Sequence, residues 1–182
     1  MPNHKMNADG KYFCAKLKSK TKLRWVTQVR VVAAYHEPLC FKSMNMKTII
    51  QQEISGCGFA CVAMLADTSY EEVKKKANSL GIFSENENLW SQTGYVRRLL
   101  IEYKIEASST EVPFSTWEAL PNLALLAIKF HLENGRPFWH WTVFQRSGAE
   151  EIIHDPAAYL SVNQRTDFEN ITPKWSIEII ET

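Results

Sequence analysis

Cysteine is scarce in this chain, and its pattern excludes several classes of protein. Four cysteines among 182 residues is far below the density of a disulfide-rich scaffold. No two of them have the two-residue separation of a Cys-x-x-Cys motif, which redox proteins and zinc ribbons use. A split metal site is an alternative, in which Cys57 and Cys61 bind a metal together with His36 and Cys40. We therefore expect no metal and no cofactor.

Long apolar runs are also missing. No window reaches the roughly 18 to 20 consecutive apolar residues of a membrane span, and the N-terminus has no apolar stretch typical of a signal peptide. We expect no membrane span and a cytoplasmic location. Apolar residues at 45% and charged residues at 23% are ordinary for a globular protein. The length favours one domain with a real core.

Charge is unevenly distributed along the chain. Residues 1–48 hold ten Lys or Arg and two acidic residues, a net of +8, while the remaining 134 hold eleven and eighteen, a net of −7. A basic arm can bind nucleic acid or an anionic surface, but an auxiliary segment explains the asymmetry more simply. We expect no nucleic acid partner. We divide the chain into a basic N-terminal extension of uncertain structure, 1–46, and a main domain, 47–182.

Helix signals come first in the main domain and strand signals follow. The apolar spacing after Gly58 predicts a buried helix, and Ser69 with Glu72 forms a capping-box pattern that opens a second helix. The predicted helices are 58–67, 70–80, 94–103 and a short one at 114–120. The predicted strands are 123–132, 138–146, 151–154 and 175–181, with a further strand at 23–35 in the extension. Helices followed by an antiparallel meander indicate an α+β fold.

Cys57 lies where a cysteine gains reactivity. Gly56 and Gly58 flank it, and the predicted helix begins there. The unpaired N–H groups and the dipole of a helix N-terminus favour the thiolate, which is the nucleophilic form of cysteine. Gln51 lies six residues upstream, where its amide can donate to an oxyanion, and Gln52 competes for that role.

A base and an orienting group follow in the strand region. His140 lies in an aromatic strand between Trp139 and Trp141, and a histidine in such a rigid place can act as general base for a thiol. His131 and His154 are alternatives. Asp155 follows His140 by fifteen residues, about the length of a strand, a turn and a returning strand, so the two can lie side by side.

These segments resemble one known family, the C39 family of papain-like cysteine peptidases, which includes the peptidase domains of bacteriocin-processing transporters. The similarity covers about residues 47–160. The segments that carry it are Gln51 with Cys57-Gly58-Phe59-Ala60-Cys61, then His140-Trp141-Thr142-Val143, then Asp155-Pro156-Ala157. The resemblance implies a papain-like fold with Cys57 as nucleophile, Gln51 in the oxyanion hole, His140 as base and Asp155 as orienting group.

The resemblance also implies a substrate and partners. It implies cleavage of a peptide bond, after a Gly-Gly pair in a leader peptide, and a partner transporter or partner protein. Three alternatives stay open. The same residues can serve an acyltransferase or amidase, the chain can be a catalytically silent module that binds leader peptides or a partner, and Cys57 with Cys61 can serve thiol-redox or metal chemistry.

Overall fold

Three α-helices precede six β-strands in the part of the chain that the computed structural model describes, residues 46–180. The helices are α1 (Cys57–Leu65), α2 (Tyr70–Ser79) and α3 (Gly94–Glu102). The strands are β1 (Val112–Pro113), β2 (Leu123–Glu133), β3 (Arg136–Ser147), β4 (Glu150–His154), β5 (Gln164–Arg165) and β6 (Trp175–Glu178). The α+β prediction is confirmed. The strand predicted at 23–35 and the basic extension, apart from its last residue, lie outside the described residues.

The helices form for the reasons that the sequence indicates. In α1 every residue from Cys57 to Met64 is buried, which fits its almost wholly apolar composition. The capping box of α2 is present, because Ser69 Oγ accepts the Glu72 N–H at 3.2 Å and the Glu72 carboxylate accepts the Ser69 N–H at 3.3 Å. Between α2 and α3, a 3-10 helix spans Glu87–Ser91.

The sheet is antiparallel, with strand order β1-β6-β2-β3-β4-β5. The long hairpin of β2 and β3 turns at Asn134 and Gly135, which both have the positive φ that a two-residue hairpin turn requires. The order departs from a simple meander because β6 returns to pair with the free edge of β2. The strand β6 therefore lies between β1 and β2 in the sheet.

The helix predicted at 114–120 is wrong. The aromatic rings of Phe114 and Trp117 pack edge to face at 5.0 Å between centroids, and Trp117 packs on Phe168 at 4.8 Å. The Arg146 guanidinium donates to the carbonyls of Trp117 at 2.8 Å and Leu120 at 2.7 Å. These carbonyls therefore have hydrogen-bond donors from the sheet, and the partly buried rings of Phe114 and Trp117 pack on the smaller cluster without an α-helix.

Apolar side chains pack on both faces of the sheet. Trp139, Trp141 and Val143 of β3 join the core that includes α1 and parts of α2 and α3, whereas Phe144 joins a smaller cluster with Trp117. This alternation follows from the period-two geometry of a strand. None of the helices within 46–180 is long and apolar enough to cross a membrane.

Candidate active site

Cys57, His140 and Asp155 come together where α1 meets the sheet. Cys57 is the first residue of α1, His140 lies in β3, and Asp155 directly follows β4. Because Val143 pairs with His154, Asp155 lies next to Thr142 across the strand pair, and His140 is two residues further along the same face. His140 Nε2 and Asp155 Oδ1 are 2.7 Å apart. The sequence spacing of fifteen thus corresponds to a diagonal pair across β3 and β4.

Asp155 is fully buried and is held by three groups. Its Oδ1 faces His140 and accepts the Ala157 N–H at 3.1 Å, and its Oδ2 accepts from Arg165 Nη1 at 3.3 Å. Burial raises the pKa of the Asp155 carboxyl, but the hydrogen bond and charge of His140 and the Ala157 N–H bring the pKa below its ordinary value. Asp155 is therefore an ionised carboxylate beside the imidazole.

The thiol of Cys57 and the ring of His140 form a coupled pair. Burial raises the pKa of Cys57, but a hydrogen bond from His140, its charge, and the N–H groups of Trp141 and Gly58 lower the pKa below its ordinary value. Burial lowers the pKa of His140, yet hydrogen bonds to Asp155 and Cys57 raise it to about 9. Both shifts act in the same sense, because each stabilises the ion pair of thiolate and imidazolium relative to the neutral pair.

The tautomer follows from these partners. Asp155 occupies Nε2 of His140, so Nδ1 is the ring nitrogen that remains for the exchange of a proton with Cys57. The first turn of α1 adds to the effect, since no side chain caps its N-terminus and its first N–H groups stay available to an anion. An anion at the Cys57 sulfur therefore has a cation and backbone donors around it.

Gln51 lies next to the site, but its amide is engaged elsewhere. Its backbone N–H donates to the Pro156 carbonyl at 2.9 Å, which ties the segment before α1 to the segment after Asp155. Its Nε2 donates to the carbonyls of Glu53 at 3.0 Å and Ile54 at 2.9 Å. Both amide hydrogens are thus used in a local turn. The oxyanion role stays a prediction, and it requires Nε2 to leave one of these carbonyls.

The alternative residues lie in other surroundings. His131 is exposed, stacks on Phe138 and bonds to Glu133 at 2.9 Å, while Gln52 is exposed. His154 is buried, with Nδ1 2.7 Å from Thr48 Oγ1 and Nε2 3.1 Å from Gln145 Oε1. Burial lowers the pKa of His154 to about 4, so this ring is neutral. His140 is the histidine whose pKa is coupled to that of Cys57.

Sequence reasoning missed Arg165 and the backbone N–H of Trp141. Arg165 lies in β5, and it holds Asp167 through Nε at 2.9 Å and Nη2 at 2.7 Å in addition to Asp155. No motif marks an arginine ten residues after the aspartate. The backbone N–H of Trp141 has no sequence signal either, since any residue at that position supplies it.

A cavity of about 250 Å³ opens beside His140. Its walls are largely aromatic, with charged and polar groups at Lys129, His131 and Glu133. The remaining lining residues are Trp90, Phe138, Trp139, His140 and Tyr159. Cys57 is only 1% exposed and does not line this cavity, so His140 is the member of the pair that a ligand in the cavity contacts.

The second cysteine does not share the properties of the first. Cys61 is buried one turn further along α1, and burial, followed by the charges of Cys57 and Asp155, raises its pKa well above the ordinary value. Both cysteines are free thiols. Within residues 46–180, no group of three or more His, Cys, Asp or Glu side chains is placed to hold a metal ion.

The site can therefore generate an anionic sulfur beside a protonated imidazole that a carboxylate orients, which is the equipment for nucleophilic attack followed by proton transfer. No protein-family model and no curated protein sequence matches this chain.

Proposed function

We propose that this chain is a papain-like cysteine hydrolase, similar to the C39 peptidases, that cleaves a peptide bond. The observation that carries the proposal is the 2.7 Å hydrogen bond between His140 and Asp155, together with the interaction of the same ring with Cys57 that lowers the thiol pKa and raises the imidazole pKa. Structural cysteines buried in apolar surroundings have raised pKa values, as Cys61 does. The contrast between two cysteines in one helix supports a chemical role for Cys57.

The reaction proceeds in two stages. The Cys57 thiolate attacks the carbonyl carbon and forms a C–S bond, and the carbonyl oxygen becomes an oxyanion. His140 then gives the proton on Nδ1 to the leaving amine, the C–N bond breaks, and an acyl-enzyme remains. Water attacks this thioester while His140 takes its proton, so that the acid is released and the thiolate returns. Asp155 keeps the imidazolium oriented throughout.

Donors for the oxyanion come from the first turn of α1 and from the side chain that the resemblance assigns. Cys57 is at the start of α1, where backbone N–H groups are not capped by a side chain. Gln51 joins them once its amide turns away from the Glu53 or Ile54 carbonyl. Loss of one such donor commonly lowers the rate about 100- to 1000-fold.

The resemblance supplies the substrate and the setting of the proposal. The substrate is a peptide or protein, cleaved after a Gly-Gly pair in a leader, in the cytoplasm and with a transporter or other protein as partner. An acyl acceptor in place of water would make the same residues an acyltransferase. Gly-Gly leader peptides offered with and without an amine acceptor distinguish the two reactions by mass.

A second candidate is a module of the same fold that binds leader peptides without cleaving them. The burial of the Cys57 sulfur and the engagement of both Gln51 amide hydrogens favour it. The two candidates differ in one property of the folded protein. A hydrolase needs a thiol at position 57 that reacts near neutral pH, whereas a binding module has no such need.

The decisive experiment measures the alkylation of Cys57 by a low concentration of iodoacetamide at pH 7, with the label located by peptide mass spectrometry. We expect Cys57 to react first, and His140→Ala to slow its reaction at least about tenfold, because one pKa unit of thiolate stabilisation corresponds to a factor of ten. Cys61→Ala is the matched control and should leave the rate unchanged. A Cys57 no more reactive than Cys61 would exclude the hydrolase and favour the binding module.

A further inference from the structure

A second cavity, of about 440 Å³, lies on the sheet beside the first and has a basic rim. Its charged lining residues are Lys129, Arg165 and Lys174, and no Asp or Glu lines it within residues 46–180. The apolar part of the lining comes from Ile128, Phe130, Ile171 and Pro173, and the neutral polar part from Asn170 and Thr172. Positively charged side chains around a partly apolar cavity suit an organic anion.

The two lysines carry the positive charge that is not neutralised. Arg165 is paired with Asp167 and Asp155. Lys174 Nζ lies 5.1 Å from the centroid of the Phe130 ring, and Lys129 bonds to the hydroxyl of Tyr159 and lies over its ring. Among residues 46–180, neither lysine has a carboxylate oxygen within 4.0 Å. The charge of Lys129 also acts at longer range on Asp155, but neither lysine forms an ion pair within residues 46–180, so both ammonium groups can contact a ligand.

The backbone at Lys129 directs this arrangement. The pairing of β2 with β3 shifts between Ile128 and His131, and Lys129 has a φ of 55°, so the strand bulges there. Lys174, on the approach to β6, donates its N–H to the Ala127 carbonyl at 2.7 Å, which holds the second lysine beside the bulge. A β-bulge changes the direction in which a side chain leaves the strand. Here the bulge places the Lys129 side chain at the cavity.

We propose that this cavity binds a small organic anion, in which a carboxylate or phosphate group contacts Lys129 and Lys174 and an apolar body lies on Phe130 and Ile171. The site adjoins the candidate active site, because Lys129 lines both cavities and Arg165 bonds to Asp155. It does not depend on the hydrolase proposal, since the binding needs neither Cys57 nor His140.

Chemical-shift titration of the ¹⁵N-labelled protein tests the proposal with matched probes. N-acetylphenylalanine carries a carboxylate on an apolar body, and its amide has the same body without charge. We expect the acid to shift the resonances of residues that line the cavity, and the amide to shift them at least about fivefold less at the same concentration. Binding should weaken as salt rises from 50 to 500 mM, because exposed charges are screened.

Lys174→Gln is the test variant and Lys75→Gln its control. Both lysines are exposed, so neither change threatens the fold, and each removes one positive charge. We expect Lys174→Gln, and likewise Lys129→Gln, to weaken binding of the acid at least about fivefold while Lys75→Gln leaves it unchanged. Equal binding of the acid and the amide, shifts outside the cavity, or unchanged binding by Lys174→Gln would overturn the proposal.

Phenyl phosphate distinguishes the two sources of negative charge. Tighter binding of phenyl phosphate than of N-acetylphenylalanine supports the site and assigns it to phosphorylated small molecules. Tighter binding of the carboxylate supports it equally and assigns it to carboxylate ligands such as peptide ends. If neither probe shifts the lining residues at low salt, the cavity is not an anion site.

Discussion

Asp155 affects the ionisation of His140 directly and that of Cys57 through His140. Its carboxylate faces His140 Nε2, and this hydrogen bond helps to raise the pKa of the imidazole to about 9. Without the negative charge, His140 loses its proton at lower pH, and the Cys57 thiol loses the cation that lowers its own pKa. A buried thiol without that cation has a raised pKa.

We therefore expect Asp155→Asn to lower the pKa of His140 by at least about one unit toward its ordinary value of about 6.5. Titration of the imidazole by NMR measures this change directly, and Cys57 alkylation at pH 7 should slow in parallel. Asp167→Asn is the control, because it removes the other carboxylate that holds Arg165 without touching His140. A His140 pKa that stays near 9 in Asp155→Asn would contradict this account.

His154 makes stability depend on pH in the acidic range. Its folded pKa of about 4 lies below the ordinary value of 6.5. Between these two pH values the unfolded chain binds a proton at His154 and the folded chain does not. The free energy of unfolding should then fall as pH decreases from about 6.5 to 4, by roughly 2 to 3 kcal/mol from this residue. Urea unfolding at several pH values measures it.

His154→Gln should remove most of that slope, whereas His131→Gln, at an exposed position, should leave it nearly unchanged. His140 acts in the opposite direction. Its folded pKa is raised, so its contribution is complete below about pH 6.5 and is lost as pH rises through about 9. The acidic slope attributed to His154 is therefore separate from the alkaline effect of His140.

At the scale of elements, the start of α1 has no room for an added side chain. A Cβ at Gly58 would collide with the Tyr95 hydroxyl and with the Val96 side chain, and both of these residues are buried in α3. Gly94 offers a matched comparison, since it also occupies a first turn but has no atom within 4 Å of such a Cβ. Close packing of α1 on α3 thus explains the glycine after Cys57.

We expect Gly58→Ala to lower the free energy of unfolding by about 1 to 3 kcal/mol, the usual range for overpacking a core. Gly94→Ala should be neutral or slightly stabilising, because alanine is the better helix former. Denaturant unfolding compares the two variants. Equal effects of both substitutions would mean that the space at Gly58 does not limit the fold.

Local sequence signals predicted most of the helices and strands, but not which strands pair with each other. The helices α1, α2 and α3 and the strands β2, β3, β4 and β6 lie where the apolar spacing and the capping box place them, because those signals are local. The helix prediction failed at 114–120, because Arg146 of β3 donates hydrogen bonds to two carbonyls of this segment. The pairing of β6 with β2 is likewise a long-range choice that alternation cannot reveal.

The candidate site shows the same division. Cys57, His140 and Asp155 have recognisable surroundings in the sequence, and the structure places the His140 ring against Asp155 and close enough to Cys57 to lower the pKa of the thiol. Arg165 and the turn that engages the Gln51 amide carry no local signal, because their roles depend on which loops meet.

At the scale of the whole molecule, the segment before α1 joins the helices to the sheet. Thr48 Oγ1 lies 2.7 Å from His154 Nδ1, and the Gln51 N–H donates to the Pro156 carbonyl at 2.9 Å. Met46 is buried in the core that includes α1 and parts of α2 and α3. These contacts fix the segment on both sides of Asp155, so the geometry of the candidate site depends on residues 46–52.

We expect a chain that begins at Met46 to fold and to keep the alkylation rate of Cys57, which would support the predicted domain boundary. A chain that begins at Glu53 loses Met46, the Thr48 contact and the Gln51 bond, and its thermal midpoint and Cys57 reactivity should both fall. Thr48→Val in the longer chain isolates the hydroxyl, and should cost about 1 kcal/mol or more, because it leaves buried His154 without that partner. If the chain from Met46 does not fold, residues 1–45 belong to the domain and the boundary is wrong.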